Sequence, residues 1–282
     1  VPAPAPTETP RRQLDALLTR PDRELNLGEA ALLIASEEYP DLDVRSYLVR
    51  LDEMGCALRR RLDEEPRQER AVMALNRYLF REQGFRGNTE EYYDPRNSYL
   101  NEVLDRRTGI PITLSTVYME VARRAGLEVE GVGLPGHFVV RIRTPKHPLL
   151  VDPFHAGMML TEKDCQDRLD RIFGGKVKIE PEMLRPCRHR DMLERMLRNL
   201  KAVYIRDQDV KRALRVVDLL IRIQPDSAED LRDRGVLYAA LDCYGLAARD
   251  LESYLVLAPK APDAEELKRR VAQLRLKAAR LN

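Results

Sequence analysis

The sequence predicts an α+β fold that gives way, near residue 189, to helices alone. Three observations predict it. Residues 28–83 carry apolar side chains at helical spacing. Between Asn97 and Phe154 the pattern runs helix, strand, a second strand led by His137, and a third strand ended by Asp152. Beyond residue 189 the strand patterns stop, and positions 34 residues apart begin to match.

The chain of 282 residues opens with VPAPAPTETP. This stretch lacks the basic and apolar regions of a secretory signal and reads as a short disordered tail over residues 1–10. GEAALLIASEE (28–38) and residues 43–65 follow as helices, broken at Pro40. A helix over 67–83 puts Val72, Leu75, Leu79 and Phe80 on one side, so these helices are expected to bundle on the core. Gly84 can close that helix in a left-handed conformation. Asp94-Pro95 turns the chain, and Asn97 or Ser98 is positioned to cap the next helix, with Leu100, Val103 and Leu104 facing inward. Gly109 ends it. Pro111 suits the first turn of the following helix, where a missing N–H costs nothing. Leu114, Val117, Tyr118 and Val121 give that helix a buried stripe. It should lie under a sheet built from residues near 128–134, 137–143 and 148–152. Residues 154–188 read as a connector with a helix near 161–173.

Past this connector, Tyr204 and Tyr238, Ala213 and Ala247, and Pro225 and Pro259 are each 34 residues apart. An aromatic, a small residue and a terminal Pro at this period form a tetratricopeptide signature. The small residues let paired helices approach closely, and residues 262–281 supply a capping helix. The expected organisation is a tail over 1–10, a helical region plus core over 11–188, and a repeat region over 189–282.

Composition excludes several classes. The net charge of +2 argues for neither nucleic acid nor membrane as a partner, and no apolar run is long enough to span a bilayer. Residues 185–215 hold ten Lys/Arg against four Asp/Glu, but Tyr204 is their only aromatic, so a solvated repeat face is expected rather than a nucleic-acid site. Cys56, Cys165, Cys187 and Cys243 are widely spaced, which suits reduced thiols in a cytoplasmic protein. His137, His147, His155 and His189 show neither H-x-x-H nor H-E-x-x-H spacing, so no metal is expected. No Walker loop or G-x-G-x-x-G is present, so no cofactor is expected either.

The run from Asn97 to Phe154 has the layout of a papain-like or transglutaminase-like core. A longer ordered string resembles one family: Asn76 with YLF (78–80), GFRGN (84–88), YDP (93–95), Asn97-Ser98, NEVLDRR (101–107), GIPI (109–112), PGH (135–137) and Asp152-Pro153. Over residues 28–260 the chain resembles the bacterial SirB family, whose transglutaminase-like domain is followed by tetratricopeptide repeats. A related domain occurs in an animal F-box protein. Against an ordinary transglutaminase core, Gly109 matches the Gly that precedes the nucleophilic Cys and Gly126 the Gly that ends the helix. Pro111 then stands where the Cys would be, and no Cys lies between Gly109 and Phe154. The resemblance thus implies a pseudoenzyme.

His137 and Asp152 keep the order of a catalytic pair, in which the carboxylate would fix the imidazole tautomer. They are either a remnant kept for packing or part of an atypical centre. Ser115, one turn into the helix, is the candidate hydroxyl nucleophile, against the commoner role of bonding back to a carbonyl. Asn97, Asn101 and Asp105 are spaced four apart, as on one helix face, and with Arg106 they are candidate binding residues, against a role in caps and salt bridges. The expected function is a cytoplasmic protein-interaction module whose repeats bind a polypeptide partner. The alternative is a hydrolase or acyl transferase acting on peptide or amide bonds through His137, Asp152 and a non-cysteine nucleophile.

Overall fold

The computed structural model describes residues 9–62, 68–144 and 148–281. Most of the expected N-terminal tail, and His147, lie outside the described residues. The chain divides into two compact units, residues 1–196 and 197–282.

The first unit begins with α1 (Pro10–Leu18), α2 (Leu27–Ala35) and α3 (Val44–Arg59). Asn26 caps α2 by accepting from the Glu29 amide, and Asp43 caps α3. Every residue of α2 except Glu29 is buried, so this helix is core on all sides. The helix expected over 67–83 is α4 (Gln68–Asn76) followed by a π-helical stretch, Arg77–Glu82. Wider turns of this kind reset which side chains face inward. Gly84 takes the expected left-handed conformation, with φ +75°.

Two short strands then pair in parallel, β1 (Arg86–Gly87) and β2 (Thr108–Gly109), on either side of α5 (Leu100–Arg106). Here the expected cap is corrected. Pro95–Asn97 form a 3-10 turn, and Tyr99 occupies the N-cap position of α5 without a side-chain bond. The turn takes up the residues that were expected to open the helix, so Asn97 lies outside α5.

Helix α6 (Pro111–Arg124) starts at Pro111 as expected. The Thr113 hydroxyl accepts from the Ile110 amide and donates to the Asn97 carbonyl, tying the start of α6 to the preceding turn. Residues Pro111 to Ala122 are all buried, so α6 is the central helix of the unit. It lies against β3 (Val129–Val132) and β4 (Val139–Ile142). With β5 (Leu149–Asp152) and β6 (Met158–Leu160) these strands form an antiparallel sheet in the order β3-β4-β5-β6. The register pairs Val132 with Val139, Val140 with Val151, and Asp152 with Met158. The fourth strand falls in the stretch read from sequence as a connector. A Thr161–Asp164 capping box opens α7 (Glu162–Phe173), which turns Cys165 inward against Val132, Leu134, Val139 and Leu150.

The division between the units falls within α8 (His189–Arg206). The second unit continues with α9 (Val210–Ile223), α10 (Ala228–Ala240), α11 (Tyr244–Leu257) and α12 (Ala264–Leu281). Tyr204, Ala213 and Ala247 are buried, and Pro225 and Pro259 lie two residues beyond the ends of α9 and α11. Gln208 and Asp242, also one repeat apart, both take φ +58°, so the two tight turns share a conformation. A Cβ on Gly235 would stand 2.8 Å from Leu251, which shows how closely α10 and α11 approach.

Candidate functional site

His137 hangs from a tight turn. Gly136 takes φ +69°, and the His137 amide donates to the Leu134 carbonyl at 3.1 Å. The strand expected to open at His137 opens two residues later, at Val139, since the His137 amide is bonded within the turn. Arg195 fastens the turn from outside, donating to the carbonyls of Leu134 and His137 at 3.0 and 2.8 Å.

Asp152 ends β5 and is fully buried. Its Oδ1 accepts from the amides of Phe154 and His155, so the carboxylate caps the 3-10 turn Pro153–His155. That turn folds His155 back, and Oδ2 becomes the meeting point of three side chains. His137 Nε2 lies 2.9 Å from it, His155 Nδ1 2.8 Å and Arg168 Nη2 2.9 Å. Arg168 reaches in from α7, with Nη1 2.8 Å from His137 Nε2 and 3.3 Å from His155 Nδ1. The Phe154 ring stands edge-on to the His137 imidazole at 6.2 Å between centroids. A Cβ on Gly87 would stand 2.6 Å from the Phe154 carbonyl, so β1 runs directly against the turn.

Burial disfavours the imidazolium and draws the His137 pKa below its ordinary value, although Asp152 opposes this. Burial pushes the Asp152 carboxyl the other way, but hydrogen bonds from His137 and His155, with the charge of Arg168, hold it well below the usual carboxylate range. The centre therefore keeps an ionised carboxylate beside a neutral imidazole whose Nδ1 is turned away from Asp152.

The other sequence candidates lie elsewhere. Ser115 is fully buried and its Oγ has no partner among the described residues, neither the carbonyl one turn earlier nor His137. Thr116 makes that backbone bond instead, to Ile112. Asn97 is fully buried, and its amide donates to the carbonyls of Glu91 and Tyr92 while its Oδ1 accepts from Asn88. Asn101 is buried, and its Oδ1 has no partner among the described residues. Asp105 turns the other way, toward α3, where Tyr47 and Arg50 hold it at 2.6 and 2.7 Å. Arg106 reaches Asp94 at 3.5 Å. The single face expected for Asn97, Asn101 and Asp105 is absent because Asn97 precedes the helix.

Two residues of the centre, His155 and Arg168, lie outside the pair to which the sequence pattern points. The i, i+3 spacing of Asp152 and His155 across a Pro was the available signal for the first. Cys165 lies one turn before Arg168 on α7. It is buried, and burial pushes its thiol up to about 11. All four cysteines are free.

Comparison with known proteins places these features in a family. Residues 45–198 match the transglutaminase-like superfamily, and residues 200–272 match the tetratricopeptide repeat. A UPF0162 protein of Xylella fastidiosa is 40% identical over 263 residues, covering 92% of this chain and 94% of that protein. A UPF0162 protein of Pseudomonas aeruginosa is 33% identical over 261 residues, covering 93% and 94%. F-box only protein 21 of Mus musculus is 30% identical over 186 residues, covering 61% of this chain and 28% of that protein. No solved structure matches. The chain belongs to the transglutaminase-like superfamily and to the UPF0162 proteins.

Proposed function

We propose that this protein is a cytoplasmic, SirB-like protein-interaction module, whose tetratricopeptide unit binds a polypeptide partner and whose core has no thiolate nucleophile. The observation that carries this reading is the company that His137 and Asp152 keep. Their polar neighbours are Arg168 and His155, and the nearest cysteine in sequence is a buried, protonated thiol. The repeat type supports the binding role, since stacked helix pairs present extended surfaces to partners. The four free cysteines suit a reducing compartment.

The test is capture of lysate polypeptides on the purified full chain and on Leu246→Asp/Val256→Asp, which changes two exposed apolar side chains of α11. Loss of the captured set with an unchanged helical spectrum supports the proposal. An identical set from both proteins counts against it.

One observation favours a second reading, a hydrolase or acyl transferase with a non-cysteine nucleophile. The 2.9 Å contact of His137 Nε2 with Asp152 leaves Nδ1 free to act as a base. In that case His137→Ala abolishes turnover of peptide or amide substrates while the fold persists.

A further inference from the structure

The contacts around Asp152 Oδ2 cannot all be satisfied by protons. An ionised carboxylate only accepts, so each ring nitrogen facing it must carry a hydrogen. A protonated His137 Nε2 cannot also accept from Arg168 Nη1, which donates from 2.8 Å, and the same conflict holds for His155 Nδ1 at 3.3 Å. If the ring nitrogens are bare, two lone pairs face a carboxylate oxygen at 2.9 and 2.8 Å. Arg168 is itself poorly served, because its Nε is buried without a partner among the described residues. The cluster is a convergence of lone pairs around one positive charge, and a guanidinium with a fixed fork fits it incompletely.

We propose that His137 Nε2, Asp152 Oδ2 and His155 Nδ1 form a binding site for a first-row divalent transition-metal ion, with Arg168 as its internal competitor. The three donor atoms all lie within 4.8 Å of one another. In a two-His, one-carboxylate site, cis ligands about 2.1 Å from the ion stand about 3.0 Å apart. The two edges to Asp152 Oδ2, 2.9 and 2.8 Å, are close to that separation, and the edge between the two rings is within 4.8 Å. With a metal bound, all three donors offer lone pairs and the proton conflict disappears. His155 is 42% exposed, which gives an ion a way in and Arg168 a way out. Imidazole with carboxylate favours ions such as Zn²⁺ or Fe²⁺ over Mg²⁺ or Ca²⁺. This site goes beyond the interaction reading, since ion binding in the core does not depend on polypeptide capture by the repeats.

The test titrates the metal-stripped full chain with Zn²⁺ alone, and with Mg²⁺ as the hard-ion control, by calorimetry and by metal content after gel filtration. The wild type is expected to bind one Zn²⁺ and no Mg²⁺. His155→Ala, at a half-exposed position, should weaken binding at least tenfold with an unchanged melting curve in the absence of metal. Arg168→Gln removes the competing charge and should tighten binding at least tenfold. His189→Ala, outside the cluster, should bind as wild type does. The proposal is overturned if His155→Ala binds as wild type does, if Arg168→Gln binds no more tightly than wild type, or if wild type binds no Zn²⁺.

Discussion

The side-chain amide of Asn76 donates to the backbone carbonyl of Gly157 at 2.8 Å, across 81 residues. Its Oδ1 accepts from the hydroxyl of Tyr118, a fully buried residue, at 3.0 Å. One amide at the end of α4 thus holds both the central helix and the loop that presents His155. Gly157 takes φ +77°, and a Cβ there would stand 2.4 Å from Asn76, so the fit leaves no room for a side chain.

Asn76→Ala should destabilise the core by about 1–3 kcal/mol, because it strands the Tyr118 hydroxyl in an apolar interior. Adding Tyr118→Phe should recover part of that loss. A double-mutant cycle by urea unfolding measures the coupling, and strictly additive effects would show that the hydroxyl does not depend on Asn76.

Lys201 is buried between Asp230 and Asp233, at 2.9 and 2.8 Å. Burial alone would lower its pKa, but the hydrogen bonds to the two carboxylates raise it above 10.5. Lys201→Met should destabilise the repeat unit by about 3 kcal/mol at neutral pH, since it removes the nearest cation from Asp230, which is 1% exposed. The raised folded pKa fixes the sign of the pH dependence. The lysine's stabilisation is complete below the unfolded value and is lost as pH rises through the folded one. Denaturant midpoints between pH 7 and pH 11.5 should fall on the alkaline side for wild type and less steeply for Lys201→Met.

The thiols should react in order of their exposure. Cys56 and Cys243 are exposed, Cys187 is half-buried and Cys165 is buried, and burial pushes the last two up to about 11. A pKa two units above that of an ordinary thiol leaves about a hundredfold less thiolate at pH 8. A maleimide time course read by mass spectrometry should label Cys56 and Cys243 quickly, Cys187 more slowly, and Cys165 only in urea. Rapid labelling of Cys165 in the folded chain would contradict its inward placement.

Gly235→Val should destabilise the repeat pair by about 1–3 kcal/mol through overpacking, because the new atoms meet Leu251 and the Ala247 carbonyl where α10 and α11 touch. Thermal melting followed by circular dichroism measures it, and Gly245→Ala, where a Cβ meets nothing within 4 Å, is the control.

Local pattern was enough to start α6 at Pro111, to put strands near 128–134, 137–143 and 148–152, within which β3, β4 and β5 lie, and to find the helix pairs of the repeat. Each rests on what a few adjacent residues do: proline at a helix start, alternation along a strand, a small residue and a Pro returning at a fixed interval. The same kind of reasoning misplaced Asn97. It treats a polar residue before an apolar run as a cap, whereas the backbone spends Pro95–Asn97 on a 3-10 turn and uses the Asn97 amide to hold the carbonyls of Glu91 and Tyr92. β6 and the π-helical stretch were missed for a related reason. Three residues are too few to show a period, and the residues of a wide turn differ little from those of an ordinary one.

By itself the sequence determined the class of this protein: a helical region, a core in which His137 and Asp152 follow one another on successive strands, and a helical array with a 34-residue repeat. The tertiary structure decided what surrounds that pair. His155 arrives because Asp152 caps a 3-10 turn that folds it back, and Arg168 arrives because Cys165 and Leu169 turn one face of α7 into the core. Periodicity records which face of an element is buried. Which polar atoms then meet depends on distances between elements far apart in the chain, and only the packed structure sets those.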